Sequence, residues 1–170
     1  MKNNFKKMIF VVLTAALVFA AFPVTSAFAQ GENPPEKGEL TNEKLEKVWA
    51  RQLKIYNRLG KGFGDIDAQT AKFQEKIDKA ASNGRDVTAA QAALDAFEAA
   101  SKSTKPIYDG MENIVSAHAG FDADGKVTDA VQAKPTVQEV GAKLKEVKSS
   151  MNGTGKALLE ALKAFRAANK

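Results

Sequence analysis

His118 is the single histidine of a chain that has no cysteine, and these two counts limit the chemistry within reach. A Ser–His–Asp nucleophile needs a serine facing the imidazole. Ser116 lies two residues away and projects from another side of a helix. Zinc sites want three or four nitrogen or sulfur ligands, and one imidazole without thiolates cannot assemble them. Haem is a conceivable use of His118, with Met111 or Met151 as the second axial ligand. Met111 sits seven residues earlier, two turns along the same side, so it cannot bind the opposite face of the iron; Met151 could. A methionine on an apolar stripe is ordinarily core filling, however, and a histidine at a helix end ordinarily packs in a loop. Paired carboxylates for acid–base work need a cleft, and the acidic pairs here fall on outward faces. The expectation is therefore no enzyme and no bound cofactor.

Two other groups of residues could bind something. Asp122, Asp124 and Asp129 surround Gly125 and resemble half of a calcium loop. Aligning Gly125 with the invariant glycine of an EF-hand puts Gly120 and Val131 where carboxylates belong, so that motif fails at its strongest positions. A weak partial calcium site at the three aspartates is what remains, against a plain polar turn. The second group is a ridge of Lys44, Lys47, Arg51, Lys54, Arg58 and Lys61, spaced by threes and fours, with Glu43 and Glu46 as its nearby offsets. Such a ridge suits an anionic cell-wall polymer or lipid head groups, through a charge interaction that salt would screen. The plain alternative is a solvated face.

Three helical stripes must position these residues. Leu45, Trp49, Gln52, Tyr56, Leu59, Phe63, Ile66, Thr70, Phe73, Ile77 and Ala80 recur at steps of three and four, which brings them to one side of a helix. Thr41 or Asn42 can cap its start. Gly60, Gly62 and Gly64 each weaken a helix by ~1 kcal/mol relative to alanine. The stripe stays in step across them, which favours one helix to about Ser82 over a break that would give four helices in all. Asn83-Gly84 ends it. A second stripe runs from Val87 to His118, with Thr88 and Gln91 as an expected capping box and Pro106 as an expected kink. A third is expected to start at Thr128 or, more firmly, at Thr136, and to continue through Gly153 and Gly155 to Phe165. Together they predict an all-α, antiparallel up-down-up bundle of three long helices over residues 41–170, packed as in a coiled coil. Counting back from Gly84 places His118 beside about Gln52, with Phe121 and Val127 covering Trp49 and Leu45.

The start of the chain speaks to destination. Lys2, Lys6 and Lys7 precede an apolar run from Met8 to Phe22, and Ala27-Phe28-Ala29 supplies small residues for cleavage. This order describes a secretory signal over residues 1–29, and the run is shorter than the ~20 residues that cross a bilayer. No cysteine follows it, which excludes a lipid anchor. Removing the signal takes three lysines and no acids, so 25 basic and 20 acidic residues become 22 and 20, net +2. That leaves no case for nucleic acid. Residues 30–40, rich in proline and glycine, read as a flexible linker. With no disulfide possible, stability must come from burying the stripes.

Residues 83–87 (Asn-Gly-Arg-Asp-Val), the run Leu94-Asp95-Ala96-Phe97 and above all residues 117–129 (AHAGFDADGKVTD) resemble uncharacterised secreted bacterial helical-bundle proteins. The resemblance implies a helical bundle outside the cytoplasm and brings no activity with it. The expected function is an exported, non-enzymatic structural or interaction module, extracellular, periplasmic or associated with the cell envelope. Its partner would be another protein or an anionic envelope polymer, with no transmembrane anchor once the signal is cleaved. The alternative is a carrier of a small ligand or metal, calcium or haem, in the bundle interior or the 120–129 loop.

Overall fold

The computed structural model describes residues 41–168; the expected signal peptide and the 30–40 linker lie outside the described residues. What it describes is all-α. Helix α1 spans Asn42–Ser82, α2 Thr88–Asp109, α3 Glu112–Ala117, α4 Ala130–Met151 and α5 Thr154–Ala168. The β-type pairing among the described residues is one isolated antiparallel bridge, Phe121 with Val127. No helix among the described residues is long and apolar enough to cross a membrane.

Helix α1 passes Gly60, Gly62 and Gly64 unbroken, as the constant phase of its stripe predicts. Its start is capped by Thr41, whose carbonyl accepts from the Leu45 amide at 3.0 Å and whose Oγ1 accepts from the Lys44 amide at 3.4 Å. The second stripe departs from the expectation. Helix α2 continues through Pro106 and stops at Asp109, where the Met111 amide tightens to the Tyr108 carbonyl and α3 takes over. Met111 keeps right-handed dihedrals (φ −84°, ψ −17°) through the turn, so the stripe holds its phase across a real break. Met111 is fully buried.

The expected Thr88–Gln91 capping box is replaced. The Thr88 amide is held by Asp86 Oδ1 at 2.9 Å, while the Gln91 side chain reaches instead to Gln74 and Asp95. Helix α4 starts at Ala130, not at Thr136. Asp129 caps it, taking the amides of Val131 and Gln132 on Oδ1 at 2.8 and 3.3 Å. Pro135 is thus the sixth residue of α4, and Thr136 is buried, bridging the carbonyls of Ala119 and Gln132 at 2.9 Å each. The third stripe is also two helices. Asn152 and Gly153 both enter the left-handed region (φ 43° and 74°), which an α-helix cannot contain, and they separate α4 from α5.

The described residues form two compact units. One comprises residues 59–105 and 148–168, with a core that includes Leu59, Phe63, Phe73, Leu94, Phe97 and Leu158. Polar clasps tie its helices: Gln74 and Gln91 exchange side-chain hydrogen bonds at 2.7 and 2.8 Å, and Thr104 Oγ1 lies 2.7 Å from Ser150 Oγ. The other comprises residues 41–58 and 106–147, built on Leu45, Trp49, Met111, Phe121, Val137, Val140 and Leu144. Fully burying a side chain of this size contributes roughly 1.5–3 kcal/mol. In this unit Gln52 Nε2 donates to the Val137 carbonyl at 2.9 Å, joining α1 to α4.

Candidate functional site

Residues 118–129 are folded back onto the first turns of α1, and local chemistry explains how. His118 ends α3 in the left-handed conformation (φ 34°, ψ 41°), with its amide on the Ile114 carbonyl. Gly120 follows at φ +86°; a Cβ there would fall 2.2 Å from the Ala133 amide nitrogen and 2.6 Å from the Asp129 carbonyl. No other residue fits. Its own carbonyl accepts from the amides of Thr128 and Asp129. Between these ends Asp122 organises a tight hairpin, its Oδ1 accepting from the amides of Asp124 and Lys126 at 2.9 and 2.8 Å.

Two contacts fasten the hairpin to α1. Phe121 stacks on Trp49 with ring centroids 4.8 Å apart and planes 9° from parallel. This is the contact the stripe spacing predicts. Glu46 accepts from Lys126 Nζ at 2.9 Å on one oxygen and from the Val127 amide at 3.2 Å on the other. The Lys126 hydrogen bond, followed by the Val127 amide, holds the Glu46 carboxyl below its ordinary value; the same pairing raises the Lys126 ammonium. Glu46 is 22% exposed and Lys126 68%, so solvent screens the pair from one side.

The fold leaves an open cleft of about 640 Å³ between this hairpin and α1. It is lined by the apolar Ala50, Leu53 and Val115, by His118 and Trp49, and by Glu43, Glu46, Asp122 and Asp124 together with Lys47 and Lys126. His118 Nδ1 lies 2.7 Å from the Ser116 carbonyl, to which it donates. Lys47 is taken by Glu43 at 2.6 Å, and this hydrogen bond holds the Glu43 carboxyl below its ordinary value.

The sequence-predicted site residues fall into place as follows. The three aspartates have different roles: Asp122 closes the hairpin, Asp129 caps α4, and Asp124 is exposed with no side-chain hydrogen bond among the described residues. Among the described residues no three His, Cys, Asp or Glu side chains are placed to hold a metal. Met111 and Met151 each lie in a core. His118 lines the same cleft as Trp49, Ala50 and Leu53 of α1. Lys44, Lys47, Arg51, Lys54, Arg58 and Lys61 are all exposed on α1, away from its buried stripe. The role of Glu46 has no local signal, because its partners are 80 and 81 residues away in sequence. No family model, curated protein or solved structure matches this chain.

Proposed function

We propose that the chain is an exported, non-enzymatic helical-bundle protein that acts as an interaction module at the cell envelope, where α1 meets an anionic polymer. Its helical stretches run up-down-up behind a signal peptide cleaved after Ala29. The short connection between α1 and α2, residues 83–87, favours antiparallel neighbours, and the likeness of residues 117–129 to secreted bundle proteins favours export.

The observation that carries the reading is the ridge. From Lys44 to Arg58, five exposed cations line about 21 Å of one helix at ~1.5 Å per residue. A line of cations at this pitch suits a chain of repeating negative charges, whose bound counterions are released on contact. Retention of the purified protein on isolated envelopes tests it. Retention should be strong at low salt, fall steeply by about 0.5 M salt as the Debye length shrinks, and fall also in a Lys44→Gln, Lys54→Gln, Arg58→Gln variant. Retention indifferent to both salt and these substitutions would remove the charge-based reading.

A second reading, a small-ligand carrier, is favoured by the cleft beside the 118–129 hairpin. Its calcium form expects the melting temperature to rise on adding calcium, and its haem form expects a Soret band in protein purified from its own source.

A further inference from the structure

The chain has two tyrosines, and the fold sets them against each other. Tyr56 of α1 and Tyr108 of α2 stack with ring centroids 4.8 Å apart and planes 17° from parallel. Both lie in the unit formed by residues 41–58 and 106–147, and both are half-buried. Partial burial first, and then the neighbouring Tyr56 hydroxyl, raise the Tyr108 phenol above its ordinary value. The two rings therefore stack with their hydroxyls at the same end, and carbons of the same kind lie beside one another.

Packing alone would explain such a stack, but its surroundings give it a chemical meaning. Phenols give up single electrons readily, and their usual rivals are absent here or shielded. There is no thiol. Trp49, Met111 and Met151 are buried, and oxidation of a side chain follows its exposure. The other two methionines, Met1 and Met8, belong to the expected signal. An oxidant of the mature chain thus finds its most reactive accessible groups already paired.

We propose that Tyr56 and Tyr108 are an oxidative cross-linking site, at which a peroxidase using hydrogen peroxide joins the two rings as dityrosine. Each phenol loses one electron and its hydroxyl proton, leaving a phenoxyl radical whose spin is shared with the ring carbons next to the oxygen. The two radicals pair at those carbons and form one C–C bond. The hydrogen on each joined carbon then moves to the oxygen and restores both phenols. Two hydrogens leave the protein, and one hydrogen peroxide becomes two waters. The bond ties α1 to α2 covalently, a clasp that a chain without cysteine cannot make from disulfides. Neither the ridge nor the cleft enters it.

The test is oxidation of the purified protein by peroxidase and hydrogen peroxide at about 1 µM protein, far below the ~mM effective concentration of two groups on one chain. The expected product is a monomer lighter by two hydrogens, with the blue emission of dityrosine and a digest species that joins the Tyr56 peptide to the Tyr108 peptide. Tyr56→Phe and Tyr108→Phe each remove a hydroxyl and keep a ring in the stack, and each should abolish all three signals. Unreacted protein, dityrosine found only in dimers, oxidation at Trp49 instead, or persistence of the product in either variant would each overturn the proposal.

Discussion

Gly120 is the residue on which the candidate site depends. Its positive φ and the close approach of Ala133 and Asp129 leave no room for a Cβ, and the obstructing atoms are backbone, which cannot rotate away. Gly120→Ala is therefore expected to cost ~3 kcal/mol or more, the range reserved for overpacking combined with a forced left-handed residue. Chemical denaturation checks it, and a loss within about 0.5 kcal/mol, typical of a surface change, would contradict this geometry. The sequence marked Gly120 only as a mismatch in a calcium-loop alignment, because a glycine tells nothing about what will pack against it. Asp122 and Asp129 were visible for a similar but misleading reason. Their spacing around Gly125 suggests shared ligation, while their carboxylates are each satisfied by nearby amides, one in a hairpin and one at a helix start. Spacing identifies carboxylates; it does not say which way they turn.

At the level of helices, the buried faces, both ends of α1 and the start of α2 were legible, while the breaks inside the second and third stripes were not. Phe63, Phe97 and Leu144 are 5%, 3% and 4% exposed, where the stripes put them. Phase continuity correctly carried α1 through three glycines. The same argument failed at Gly110–Met111 and at Asn152–Gly153, since a turn of one or two residues can interrupt the hydrogen-bond ladder and still leave the next apolar residue on the same side. Of the two expected starts of α4, Thr128 falls beside the observed Ala130 and the preferred Thr136 does not: Pro135 suits a first turn, whereas Asp129 supplies the stronger cap. Asp129→Ala should accordingly cost ~1 kcal/mol, with increased amide exchange in the first turn of α4. Unchanged exchange at Val131 and Gln132 would show that the cap carries no weight.

For the molecule as a whole, charge governs the response to acid and base. The carboxyls of Glu46, Glu43 and Asp86 are all held low, by Lys126, by Lys47 and by the Thr88 amide respectively. A carboxyl lowered in the folded state stabilises it above the unfolded value, near 4.5 for glutamate and 3.8 for aspartate, and loses that contribution as pH falls through the lowered value. Lys126 is raised, so its contribution is complete below 10.5 and fades as pH rises through the raised value. Stability should thus be flat near neutrality and decline towards both extremes. The gap between the native chain and Glu46→Gln should be present at pH 7 and close below pH 4.5; a gap that widens with acid would reverse the assignment.

The stacked indole carries one more consequence. Trp49 is the sole tryptophan of the chain, and it belongs to the unit formed by residues 41–58 and 106–147. Its emission is a private reporter of that unit, silent about residues 59–105 and 148–168, whereas the amide signal in the far ultraviolet sums over both. Heated together, one curve from each optical channel distinguishes a chain that melts as a single cooperative body from one whose halves let go at different temperatures.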